Sequence, residues 1–477
     1  MNTHLIPRAA LLAAVMTLGA CASWNPPPDD TAGFYQDLAS RHPDLQLTGE
    51  QQDSRVAQLL DQPLTPNAAT QLMLLNAPRI EMLLAELGVA NARRAQAGLI
   101  ANPHFAIGAL RPEGGGRWKL DMGLSQSLLD LLTRSLRMEL ADVALTQRQL
   151  ELQRRLDEAI HELQSAYFAA LAAQAQWRIQ QRRQQASEAA YTLAQRMRTA
   201  GNLSPSEFLH HQLTAQQISG EIRQARLAAD TTRLRLAYLL GLRPQETLTL
   251  PEQLPGMPAE YFAAADLLAQ AQQHRPDLAL VRQQQALLAR QGPLISRSRW
   301  ADISVGINAE REFDGAVNAG PEVEFGLPLF DRGQAKLAAL DAEKDVARAQ
   351  EEHLLRKIEH DIALALRQLD DARAAHEEVI ALQQTAQAQL DESQREVNFM
   401  LASPFDLLTL KQQEIHLAAD RIEAIKHYWQ ARTALSLAVG TSLAIGKSLA
   451  IPDTPDPMTP TPATPDEHHH HGDHHHD

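Results

Sequence analysis

Seven histidines near the end of the 477-residue chain are the side chains best suited to chemistry: His468, His469, His470 and His471, then His474, His475 and His476. Neutral imidazoles suit copper, zinc, nickel or cobalt, so this segment is expected to hold copper or another divalent metal weakly. Gly472 and Asp473 interrupt the run, unlike an unbroken purification tag. The pair His210–His211 is another matter. Adjacent residues on a helix point to different faces, so a solvated surface is expected there rather than a metal site. The chain has no His-Glu-x-x-His helix and no phosphate-cradling glycine loop, and its only cysteine is Cys21. This residue pattern lends catalysis no support, and no cofactor is expected beyond metal on the tail.

Cys21, being alone, rules out an intrachain disulfide. It follows Arg8, a mostly apolar run from Ala9 to Leu18, and the small residues Gly19 and Ala20. Leu18-Gly19-Ala20-Cys21 resembles the bacterial lipoprotein box, with residues 1–20 as signal peptide and Cys21 as the acylated residue. The plainer reading is an ordinary signal peptide with a coincidental cysteine. Acyl chains contribute about 0.8 kcal/mol per buried methylene, and more than one chain anchors stably. Ala22 stands where retention in the inner membrane usually needs Asp, so the resemblance points to the outer membrane. The formal net charge of −14 argues against nucleic acid as a partner. Beyond the signal segment, no run approaches the roughly 18 apolar residues of a membrane-spanning helix.

The elements that carry these groups form a unit that occurs twice. Ser204-Pro205-Ser206-Glu207 returns 199 residues later as Ser403-Pro404-Phe405-Asp406, and Leu240-Gly241 returns as Val439-Gly440 at the same offset. The series Leu156, Ala159, Leu163, Ala166, Ala170 returns as Leu355, Ile358, Ile362, Ala365, Leu369. Such spacing is coiled-coil packing, with small residues allowing close approach. Residues 129–199 contain neither proline nor glycine and, as one helix, would extend roughly 105 Å. Ser204 and Ser403 are expected as helix caps, with Pro205 and Pro404 in the first turn and Glu207 and Asp406 completing capping boxes. Trp118, Leu120, Met122 and Leu124 alternate with Lys119, Asp121, Gly123 and Ser125. Ile303, Val305, Ile307 and then Val323, Phe325, Leu327 behave alike, and Leu128-Leu129-Asp130 has a counterpart in Leu329-Phe330-Asp331. Alternation of this kind marks strands with one apolar face. Four strands isolated between helices cannot cover that face as a sandwich, and a bilayer does not tolerate an open sheet edge, so several copies would have to close a barrel.

Residues 21–63 are polar, include Pro26-Pro27-Pro28, and are expected as a lipidated, extended lead-in. Thr65 is a helix cap with Pro66 in the first turn, and Pro78 should divide the stretch to Leu99 into two helices. The first repeat then covers residues 64–241, a proline-rich linker 242–262, and the second repeat 263–440, whose entry helix should run toward Gly292. The Pro/Thr-rich, histidine-rich segment 441–477 reads as disordered.

The order and spacing of these units, with Asn102-Pro103, Arg275-Pro276-Asp277-Leu278 and Leu327-Pro328-Leu329-Phe330-Asp331 at their junctions, resemble the TolC-like outer-membrane efflux proteins from about Leu64 to Gly440. The resemblance implies a mainly α fold with a membrane β-barrel portion. In it, a homotrimer contributes four strands per chain to a twelve-stranded barrel, continuous with a coiled-coil tunnel through the periplasm of a Gram-negative bacterium. It further implies passive conduction, with a periplasmic adaptor and an inner-membrane pump of the resistance-nodulation-division type as partners. Gly201, Asn202, Leu203 and Ser204 with Met400, Leu401, Ala402 and Ser403 would form the tip that meets the adaptor. Met400 stands where the family often has glycine, so the second turn is expected to differ in shape or contact. Asp391, Glu392 and Glu396 are candidate gate acids, since acid rings favour cations; the solvated face of a helix explains them equally well. A lipid-anchored trimeric coiled coil without a pore, structural or adhesive, is the competing class. Metal and organic solutes are both left open.

Overall fold

A computed structural model describes residues 52–298, 303–327, 329–441 and 443. Cys21, the signal segment and the histidine tail lie outside the described residues. The first helix corrects the reading of residues 21–63 as wholly extended, because α1 spans Gln52–Leu60. Val56, Leu59 and Leu60, at helical spacing, lay one side of it against the main core. Next, the Thr65 hydroxyl accepts from the Ala68 amide at 3.2 Å and opens α2 (Pro66–Asn76). Pro78 starts α3 (Pro78–Ala97), so the expected break occurs. Strands β1 (His104–Leu110) and β2 (Lys119–Ser127) follow, and the Ser127 hydroxyl accepts from the Asp130 amide to start α4 (Leu128–Thr199), 72 residues or roughly 108 Å. A tight turn leads to α5 (Pro205–Leu239).

The second copy repeats the order: α6 (Ala264–His274), α7 (Pro276–Ser298), β3 (Ser304–Arg311), β4 (Val317–Glu324), α8 (Gln334–Asn398) and α9 (Pro404–Val439). Three boundaries depart from the sequence reading. Helix α7 continues past Gly292 and through Pro293 to Ser298. Strand β4 lies further upstream than Val323, Phe325 and Leu327 suggested, ending at Glu324. Leu329-Phe330-Asp331 precedes α8, whereas its counterpart Leu128-Leu129-Asp130 is already helical. The reason is local: Gly333 takes φ 82° as the cap of α8, so the chain turns there before it can coil.

Toward the turn end, α4 packs along both α5 and α9, and α9 along both α4 and α8, so the helices stand in the order α5-α4-α9-α8. Toward the strands the row becomes α3-α4-α7-α8. The two long helices therefore run through both halves. Where the halves meet, α5 ends against the α2–α3 junction and α9 against the α6–α7 junction. The Asn76 side chain donates to Leu240 O at 3.0 Å, and the Arg275 guanidinium to Ala438 O at 3.2 Å.

The largest core lies at this junction and draws on both copies. The rings of Phe168 and Trp429 stack at 5.1 Å, and Tyr167 donates its hydroxyl to Leu64 O at 2.8 Å. Leu156, Ala159, Leu163 and Ala170 from α4 are all buried, as are Ile358, Ile362, Ala365 and Leu369 from α8, so the repeated apolar series is the packing seam. Residues 242–262 form no helix, yet they act as a filler rather than a free linker. Leu242, Leu248 and Leu250 are buried, and Trp429 donates its indole N–H to Pro255 O at 3.0 Å. Arg432, 2% exposed, is held by both Glu260 oxygens at 3.0 and 3.1 Å. Removing Glu260 would strand the buried Arg432 guanidinium, whereas Glu260 itself keeps some contact with water.

Candidate functional site

The four strands form one antiparallel sheet in the order β1-β2-β3-β4, so β1 and β4 are open edges. Residues paired across neighbouring strands share a face. One face collects Phe105, Leu124, Ile307 and Pro321 in a row, then Ile107, Met122, Ala309 and Ala319, then Ala109, Leu120, Arg311 and Val317. The other collects Ala106, Gly123, Asn308 and Gly320, and Gly108, Asp121, Glu310 and Asn318. The apolar face is bare: Phe105, Ile107, Ile307, Val317 and Val323 are each more than half exposed. Strands of 7–9 residues span roughly 23–30 Å, close to the ~25 Å apolar band of a membrane barrel. Exposed Trp118 and Phe313 stand at one end of the strands and exposed Phe325 and Phe330 beyond the other, as interfacial aromatics do. Pro321 falls on β4, an edge strand, where its missing N–H is tolerated. Among the described residues no helix is long and apolar enough to cross a membrane.

At the far end of the rods are the two tips. In the first, Asn202 N donates to Met197 O at 2.9 Å and Gly201 N to Arg198 O at 3.1 Å. In the second, Leu401 N donates to Glu396 O at 2.8 Å and Met400 N to Val397 O at 3.0 Å. Both are the Schellman closure, which needs a residue at positive φ. Gly201 supplies it at 80°, and Met400 at 58°, the one non-glycine residue there among those described. Of the two expected differences at Met400, shape or contact, the first is absent from the helix closure: the hydrogen bonds hold the same backbone, and methionine takes on the strain. Both restarts carry capping boxes. Ser204 N donates to Glu207 Oε2 at 3.0 Å and Ser403 N to Asp406 Oδ2 at 3.1 Å. The hydroxyls differ by one position, Ser204 accepting from the Glu207 amide and Ser403 from the Phe405 amide.

Of the expected tip residues, Leu203 is not presented. It is 8% exposed, and its carbonyl accepts from Arg198 Nη1 at 3.3 Å. Gly201, Asn202, Ser204, Leu401 and Ser403 are exposed, Ala402 is half-buried, and Met400 is 93% exposed. Phe399 beside it, absent from the expected set, is 76% exposed. The 199-residue offset pairs Phe399 with Ala200, and that mismatch was the available signal. Asp391, Glu392 and Glu396 lie exposed on the last turns of α8, where Gln387 donates to Asp391 at 2.9 Å and Arg395 to Glu392 at 2.9 Å. His211 departs from the solvated reading: it is half-buried and stacks on Phe405. Among the described residues no three His, Cys, Asp or Glu side chains cluster as a metal site.

Several solved structures share this arrangement. The outer membrane channel CmeC of Campylobacter jejuni superposes with a TM-score of 0.65 at 15% identity, over 79% of this chain and 85% of its own. The fold is that of a TolC-like outer-membrane channel. The outer membrane protein VceC of Vibrio cholerae matches it with a TM-score of 0.63 at 16% identity, covering 79% of this chain and 96% of VceC. For the open MtrE outer membrane channel of Neisseria gonorrhoeae the values are 0.62, 14%, 79% and 88%. No protein-family model matches the chain, and no curated protein is significantly similar in sequence. At such identities the backbone arrangement is shared while side chains are almost wholly replaced.

Proposed function

We propose that this chain is the outer-membrane exit duct of a tripartite efflux system. The observation that carries the proposal is the sheet: a bare apolar face about as tall as a membrane core, on four strands whose two edges are both open. Such a sheet is stable in lipid only when copies of the chain pair β4 of one with β1 of the next. Three copies give twelve strands, with the polar face turned to the lumen and the helical row continued as a periplasmic tunnel. Solute moves passively, driven by an inner-membrane pump of the resistance-nodulation-division type, and an adaptor docks on the exposed tip residues. Cys21 adds an acyl anchor in the outer membrane. A pore-free coiled-coil adhesin is disfavoured by the strand face, which it would leave without a role.

Purified protein in planar bilayers tests the duct: stepwise conductance is expected, at least from tip variants that hold the channel open. Absence of any conductance from a stable trimer would overturn the reading. For substrate, we propose metal cations alongside organic solutes, on the strength of the terminal histidines. A deletion strain should regain metal tolerance with the full chain. A chain lacking only residues 468–477 separates a metal-buffering tail from transport itself.

A further inference from the structure

In the strand-side half of the row, α3, α4, α7 and α8 all contribute to one cavity of about 570 Å³, α8 through Gln350. A hollow that reaches both the first and the last helix of a row lies on its concave side. Much of its lining is apolar, with Leu145 from α4 and Leu280 from α7. The charges around it do not balance. Arg94 is taken by Asp142, and Glu151 by Arg154 and Arg155 at 2.8 and 2.9 Å. Arg93 and Arg148 are left over. Both are exposed, and neither makes a hydrogen bond or ion pair among the described residues. Free cations stand out in a chain where 58 acidic residues face 44 basic ones. The same helices pair Arg290 with Glu139 at 2.6 Å and Arg282 with Glu351 at 2.9 Å.

We propose that this hollow is a binding site for organic anions: an apolar body seats against Leu145 and Leu280, while Arg93 and Arg148 receive its carboxylate or sulfonate. A cavity of this size, lined by apolar side chains with a few polar groups among them, has the form of a small-molecule site. A guanidinium matches the oxygens of such a head group two at a time. Asp121 and Glu310, paired on the sheet's polar face, do not oppose the anion. They precede the start of α4, and Arg148 lies a further twenty residues, roughly 30 Å, along that helix. That is several screening lengths at physiological salt. The proposal rests on the duct reading for one point, that the concave side of the row is the lumen. It thereby names organic anions as solutes that would pause there on their way out.

The test uses full-length protein in a neutral detergent and three probes built on one naphthalene body: naphthalene-2-sulfonate, neutral 2-naphthol and the 2-naphthylmethylammonium cation. In equilibrium dialysis the sulfonate should bind saturably, about tenfold tighter than the cation. Arg93→Gln and Arg148→Gln should each weaken it about two- to fivefold, the scale of an exposed ion pair, and the double variant should level the three probes. Arg290→Gln, which removes a paired arginine, should leave binding as it was. Partition into detergent is common to all variants, so differences between them report the cavity. Equal binding of the three probes, or a sulfonate preference that survives the double variant, would overturn the site. Conductance of the same samples keeps the two readings apart: sulfonate binding without conductance leaves the site standing and removes the duct, and conductance with charge-blind binding does the reverse.

Discussion

At the first tip Gly201 bends back at φ 80° and a Cβ there would meet nothing within 4 Å; at the second Met400 makes the same bend at φ 58° with its side chain in solvent. At the opposite end of the same hairpins, Gly241 and Gly440 close α5 and α9 at φ 75° and 78°. There the space is filled. A Cβ on Gly241 would lie 2.5 Å from Asn76 O and one on Gly440 3.0 Å from Arg275 Cα. All four positions need a left-handed residue, yet only the tip can take one with a side chain. The cost at Met400 is backbone strain alone, about 1–2 kcal/mol, held because flanking helix closures and caps leave the backbone no alternative. At 93% exposure Met400 is no packing group, and on the duct reading proposed above it is a candidate docking group.

The contrast can be broken most forcefully at the junction. Gly241→Ala combines positive φ with a backbone collision and should destabilise by about 3 kcal/mol or more, with Gly440→Ala somewhat milder; thermal unfolding of the two variants gives the ranking. Gly201→Met imitates the second tip and should cost only about 1–2 kcal/mol, visible as faster amide exchange at Asn202 while the junction is unaffected. Met400→Gly is the mirror experiment. It should stabilise its turn by about 1 kcal/mol yet weaken adaptor capture in a pull-down, because strain and an apolar anchor disappear together. Ser204→Ala should cost about 1 kcal/mol at the first restart, read by protease sensitivity at the tip.

The smallest effect is one of pH. The Ser204 hydroxyl, then the Ser204 amide, hold the Glu207 carboxyl below its ordinary value. Its contribution is therefore present above the usual glutamate range and lost as pH falls through the lowered one. Amide protection at Ser204 should drop on acidification in the native chain and not in Glu207→Gln.

Much of this was legible in the chain. Capping boxes declare themselves through Ser-Pro-x-acid, and the long helices through the absence of proline and glycine. The sheet's two faces followed from alternation, because the strand period is 2 whatever surrounds it. What could not be read was placement across the copies. Residues 242–262 read as a linker because prolines forbid a helix, yet Trp429 and Arg432, 174 and 172 residues beyond their partners Pro255 and Glu260, pack them into the core. His211 read as solvated because one helix was considered alone, and Phe405 belongs to another hairpin. Met400 read as a change of shape or contact, and the shape arm weighed propensity without the hydrogen bonds that override it.

The junction core also governs how the molecule comes into being. Leu64, Leu163 and Phe168 from the first copy are sealed by Leu369, Ile425 and Trp429 from the second. The second copy also buries Leu267, Leu278, Ile358 and Leu435 among its own residues, whereas the core of the first is completed by second-copy side chains, so the emerging amino-terminal half must wait, with apolar stripes in the open, until the last helix has been delivered. Contacts this distant in sequence close late and leave a long window for misassembly. A chain truncated before α9 would lack Ile425 and Trp429 and is expected to leave the first copy's core open and prone to aggregate.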